Sequence, residues 1–147
     1  MYYDIWRMDA LNELQSYAAR KQALEIIPGR ITELREAATA IRSSTSDATP
    51  VKGGGSGRED ALLNNIVCRQ KLEKSLERTK ESVSRVERAL GTLTQDDRRI
   101  LECFYILPRK GAVSQLASEL HLDEKTIYNR RNNAVYLFRV AMCGEIL

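Results

Sequence analysis

Residues 113–132 read VSQLASELHLDEKTIYNRRN, and the reading of this stretch decides how the rest of the chain is organised. Apolar side chains stand at its fourth, eighth, tenth and fifteenth positions (Leu116, Leu120, Leu122 and Ile127), and a small one, Ala117, stands at its fifth. Spacings of this kind gather apolar groups on one side of each of two short helices. A small residue is what a close helix crossing requires, since a larger side chain would hold the backbones apart. His121, at the ninth position, falls where the turn favours a positive φ, a region histidine visits more readily than most residues other than glycine. The pattern predicts helix, tight turn, helix. The second helix starts after Asp123 as N-cap and runs to about Met142.

This register is the one expected of helix-turn-helix units. Arg130, at the eighteenth position, stands where an apolar residue is usual, and its stem can lie along the core edge with the charge outside. Projected at about 100° per residue, Ile127, Ala134, Phe138 and Ala141 fall on one side of the second helix. Lys125, Asn129, Asn132 and Tyr136 fall opposite, with Tyr128 and Arg139 towards the edges. From Glu124 to Met142 four basic residues (Lys125, Arg130, Arg131 and Arg139) stand against one acid, Glu124. This local excess of three equals the net charge of +3 of the whole chain. Asparagine amides can bond adenine with two hydrogen bonds, lysine can reach guanine, and tyrosines and arginines can hold phosphates. The bland alternative is an amphipathic helix with a solvated polar face. Read for DNA binding, the candidate residues are Glu124, Lys125, Tyr128, Asn129, Arg130, Arg131, Asn132, Tyr136 and Arg139, with Arg109 from a basic turn upstream.

Upstream, LTQDD at 93–97 opens another helix: Thr94 can cap it, Asp97 completes a capping-box-like pair, and acids suit the positive end of the helix dipole. Ile100, Leu101, Phe104 and Tyr105 follow at core spacing, and Pro108 ends the helix. A long helix is expected from about Glu59 to Leu90. Leu62, Arg69, Leu76, Val83 and Leu90 recur every seven residues on it, as do Leu72, Thr79, Val86 and Leu93. Such a seam needs a partner helix. A matching series, Tyr17, Leu24, Ile31 and Ala38 with Ile27, Leu34 and Ile41, lies in the N-terminal part, so a folded-back hairpin and a homodimer are both open. Pro28-Gly29 is expected to break or sharply kink the N-terminal part into two helices, about Asp4–Ile26 and Pro28–Arg42. Residues 43–58, SSTSDATPVKGGGSGR, have almost nothing to bury and read as a linker. The glycines lack the Gly-Lys-Ser/Thr ending of a phosphate-binding loop. The expected fold is all-α, an N-terminal long-helix bundle or coiled coil (1–42 and 59–92, joined by 43–58) followed by a helix-turn-helix module at 93–147.

Composition narrows the function classes. With 43% hydrophobic and 29% charged residues, the 147-residue chain can build a core and stay in water. Three scattered cysteines, Cys68, Cys103 and Cys143, and one histidine make neither a disulfide framework nor a metal site, and fit a reducing cytoplasm. No apolar run reaches the length of a membrane span, and no cofactor is expected. His121 sits in a turn without an evident nucleophile beside it, so no enzyme is expected.

Together, LTQDDRRILECFY and VSQLASELHLDEKTIYNRRNNAVYLF resemble sigma-factor region 4, with Leu93, Arg98, Ile100-Leu101 and Ala134-Val135 at the corresponding places. The whole chain looks like the ArpU/RinA-like group of small phage-encoded late-gene regulators of Gram-positive hosts. That likeness includes the long helices and the stretch from Gly53 to Asp60. The resemblance implies a regulator that binds duplex DNA and contacts host RNA polymerase. In it the Lys125 to Asn132 face enters the major groove, and Arg130, Arg131 and Arg109 lie nearer the backbone. The rivals are a packaging or assembly adaptor, such as a small terminase subunit, and a purely structural helical protein. A homo-oligomer through the long helices fits all three.

Overall fold

The computed structural model describes residues 2–43 and 55–144, with side chains from residue 7 in the first segment and residue 57 in the second. The fold is all-α. In chain order it holds α1 (Tyr2–Ser43), α2 (Gly55–Gly91), α3 (Gln95–Leu101) continued by a π-helical turn (Glu102–Ile106), α4 (Ala112–Leu120) and α5 (Glu124–Cys143). No strand occurs among the described residues. Most of the Gly/Ser-rich stretch, including Gly53 and Gly54, lies outside them, as does the side chain of Ile5; residues 55–58 already belong to α2.

The expected break at Pro28-Gly29 does not occur: α1 runs through it as one helix. Proline removes one backbone donor and costs about 3 kcal/mol in a helix interior. Here Pro28 and Gly29 both lie on the exposed side, where water can serve the orphaned carbonyl. Ile31 and Ala38 just beyond are buried and Leu34 is half-buried, and burying such groups contributes about 1.5–3 kcal/mol for each large one. Continuing the apolar face outweighs the lost hydrogen bond. Nearer the start of α1, Met8 is exposed, whereas Ala10 and Leu14 carry the contact.

The chain forms two compact units, residues 22–80 and residues 1–21 with 81–147. In the first, α1 and α2 run antiparallel and the heptad seam closes within the chain. Ile31, Ala38 and Asn65 are buried, and Leu24, Ile27, Leu34, Ile41, Leu62, Leu72 and Leu76 are half-buried. Asn65 continues the Leu72, Thr79, Val86 series backwards by seven and is a polar residue in the seam. Its amide donates to the Leu34 carbonyl at 2.7 Å and accepts from Arg69 Nε at 2.8 Å. A satisfied buried asparagine at such a position sets register, because any slip leaves it unpaired. Arg58 donates to the Ile41 carbonyl, and Arg35 pairs with Glu73 at 3.4 Å.

In the second unit the beginning of α1 lies antiparallel to the end of α2. Tyr17 donates to Glu87 at 2.7 Å, and Arg20 bonds both Glu13 and Ser82 at 2.7 Å. The core joins Ala10 and Leu14 of α1, Val86 and Ala89 of α2, Leu93 and Leu101, and Ala134, Val135 and Phe138 of α5. A second cluster, Ile100, Cys103, Ala112, Leu116 and Ile127, holds α3, α4 and α5 together. Within this unit α5, with Leu101 of α3, therefore packs on the start of α1 and the end of α2.

Candidate nucleic-acid interface

Each helix of the candidate site has a local reason to begin and end where it does. Thr94 caps α3, its hydroxyl accepting from the Asp97 amide at 3.2 Å. The Asp97 carboxylate accepts from Arg130 at 3.4 Å, and Asp96 pairs with the same guanidinium at 3.6 Å. At the far end the last turn widens, the Leu107 amide reaching the Glu102 carbonyl at 2.9 Å. Leu107 has left the helical region (φ −125°, ψ 76°), which the following proline disfavours. Gly111, at φ 77°, turns the chain into α4, a conformation with a steric cost for any side chain.

α4 ends at His121, which adopts φ 55° and ψ 42°. The amides of His121 and Leu122 both return to the Ala117 carbonyl, which closes α4 in a left-handed cap. Asp123 occupies the N-cap position of α5 with extended backbone, but its carboxylate accepts from the Thr126 hydroxyl instead of a backbone amide. Leu116 and Ile127 are fully buried where α4 meets α5, and Ala117, Leu120 and Leu122 pack against the same cluster. The His121 conformation makes a stability prediction. A non-glycine residue in the left-handed region loses about 1–2 kcal/mol, and glycine gives back about 0.4–1 kcal/mol through the freer unfolded chain. His121→Gly should therefore raise stability by about 0.5–1 kcal/mol in urea unfolding; a variant less stable than the parent would show the turn conformation to be wrong.

Ion pairs lock the three helices. Arg99 donates to Glu119 at 3.1 and 3.2 Å and to Glu102 at 3.1 Å, tying α3 to α4. These bonds, with a further one from Gln115, hold the Glu119 carboxyl below the usual carboxylate range. Ser114 donates to Glu124 at 3.1 Å, joining α4 to the first turn of α5. Burial pushes the Cys103 thiol up, as suits a core residue.

The outer face of α5 is not uniform along its length. Glu124, Lys125, Tyr128 and Asn129, in its first two turns, are exposed. Arg131 is half-buried, its guanidinium 5.1 Å from the Phe104 ring centre and 5.0 Å from that of Tyr128. Asn132 is exposed, but its carbonyl accepts from Arg131 at 3.2 Å and from Arg7 of α1 at 3.4 Å. Arg7, Asn132, Val135, Tyr136 and Arg139 line one small cleft. The start of α1 thus partly covers the later turns, and Tyr136 is half-buried.

Two expected placements are corrected. Arg139 is buried at 5% exposure beneath α1, its guanidinium 5.3 Å over the Tyr136 ring, not at an open edge of the face. A side chain at the edge of the projected stripe is inside or outside according to what packs there, and α1 packs there. Arg130 lies along the core edge as expected, but its charge is spent on Asp96 and Asp97 and holds α5 against α3. Arg109, with Lys110, is exposed in the turn before α4. Arg7 is the residue that sequence reading missed: it lies 125 positions from Asn132, and no local pattern links the two.

The exposed set Lys125, Tyr128, Asn129 and Asn132 follows the i, i+3, i+4, i+7 spacing of one helix face. Seven residues of rise span about 10 Å, and the B-DNA major groove is about 12 Å wide. Among the described residues no group of histidine, cysteine and carboxylate side chains could hold a metal ion, and no helix is long and apolar enough to cross a membrane. Compared with known proteins, the chain matches no family model, no curated protein and no solved structure.

Proposed function

We propose that this chain is a sequence-specific DNA-binding transcriptional regulator whose reading element is the first two turns of α5. One observation carries the reading. Leu116 and Ile127 are fully buried at the α4–α5 crossing while Lys125, Tyr128 and Asn129, interleaved with Ile127, are exposed on a rigidly held helix start. Base contacts in helix-turn-helix proteins come from the N-terminal residues of the second helix. The amide of Asn129 suits adenine, Lys125 suits guanine, and Tyr128, Arg131 and Arg109 suit phosphates. Arg130 acts from within the protein by holding α5 against α3, and Arg139 is buried away from the open face. The setting that goes with the resemblance is late-gene control in a phage or prophage, with host RNA polymerase as a further partner.

The test is selection of bound duplexes from a genomic fragment library, followed by titration of the selected site at several salt concentrations. Affinity should fall linearly on a log–log plot against salt. Arg109→Ala should lower that slope by about one while leaving site preference unchanged. No enrichment of any fragment, even at low salt, would sink the reading and leave a helical scaffold in its place.

A further inference from the structure

The unit formed by residues 22–80 carries an apolar pair on its far side. Leu63 is 59% exposed and Val67 40% exposed, whereas Asn65, between them, is buried against α1. At about 100° per residue both lie roughly 160° from Asn65, so they face directly away from α1. Single exposed apolar residues are ordinary, but this pair is one turn apart on one helix and is flanked by charges of opposite sign. Asp60 precedes it and Lys71 and Lys74 follow it; all three are exposed. Of the neighbouring charges, Glu73 pairs with Arg35 and Glu77 with Lys80, while among the described residues Asp60, Lys71 and Lys74 have no ion-pair partner.

A stripe that runs acid, apolar, base along one helix is complementary to itself when turned antiparallel. A two-fold axis midway between positions 63 and 67 sets Leu63 on Val67 of a second copy. The same axis brings Asp60 to within one residue of helical rise, about 1.5 Å, of Lys71 of that copy. The symmetry repeats both contacts. In a parallel arrangement like charges would meet. We infer that the outer face of α2 from Asp60 to Lys74 is an isologous self-association surface, occupied by a second copy of this chain. It goes beyond the DNA reading and does not depend on it. The contact is about four helical turns long, at the small end for a specific interface, so the dimer is weak and dissociates on dilution. Two copies on one DNA would supply the effective concentration that solution does not.

Sedimentation velocity of the full chain, without DNA, from low micromolar to several hundred micromolar, tests this directly. The expected result is a reversible monomer–dimer equilibrium whose dissociation constant rises about tenfold or more with Leu63→Glu. Asp60→Lys and Lys71→Asp should each weaken the dimer a few-fold, and the two together should restore it to within about twofold. The reciprocal exchange leaves the apolar pair untouched, and circular dichroism checks that each variant keeps its helices. A monomer throughout, a ring or higher oligomer, a dimer indifferent to Leu63→Glu, or a double variant as weak as the singles would each overturn the assignment.

Discussion

Phe138→Ala should remove about 3–5 kcal/mol of stability, a drop in melting temperature on the order of 10 °C. Phe138 is the largest of the fully buried side chains, and it lies on α5 in a cluster with Ala10 and Leu14 of α1 and Val86 and Ala89 of α2. Its removal loses the transfer free energy of the ring and leaves a cavity at the junction of three long elements, where rigid helices limit relaxation. Because domains of this size are stable by only about 5–15 kcal/mol, the loss is a large fraction of the whole. The consequence is specific to this packing. Amide hydrogen exchange should quicken in α1 around Ala10 to Leu14 as well as in α5, because the same core orders both. A variant with stability within about 1 kcal/mol of the parent, or one whose α1 exchange is unchanged, would show that the C-terminal helices fold without the N-terminal segment.

The second large effect concerns recognition. Asn129→Ala should cost about 1–3 kcal/mol of discrimination, roughly a 5- to 150-fold loss of preference for the selected site, since a bidentate amide–adenine pair is worth that much. The side chain is exposed and neutral, so stability should stay within about 0.5 kcal/mol and the salt dependence should not change. Asn132→Ala should do less to specificity. Its carbonyl already takes donors from Arg7 and Arg131, and only part of its hydrogen-bonding capacity remains for a base. Lys125→Ala should lower both preference and salt slope, because the lysine is a charge as well as a donor. Footprints and selected sequences identical across Asn129→Ala and its parent would move the reading element away from the start of α5.

The difference between Asn129 and Asn132 also shows what could be read from the chain. Both project to one face at 3.6 residues per turn, and both are exposed. Only one is approached by a residue from the other end of the sequence. Arg139 makes the same point more strongly: its place beside the projected outer face is correct as helical geometry, and α1 nevertheless covers it. His121 went the other way, since the left-handed turn it occupies follows from its position in a short local register. Pro28 does not end the helix because its local cost is real but smaller than the burial continued on either side of it.

Local spacing alone determined that the chain is helical, where α4 turns into α5, and which residues line the α4–α5 crossing, because periodicity and caps are set within a few residues of chain. The polar face of α5 follows from the same periodicity. Tertiary structure alone decided that the long-helix seam closes within the chain, that residues 1–21 share a core with residues 81–147, and that the start of α1 partly covers the later turns of the α5 face. An apolar stripe states only that something must cover it. Which element does so depends on contacts more than a hundred residues apart, such as Arg7 with Asn132, and no local pattern carries them.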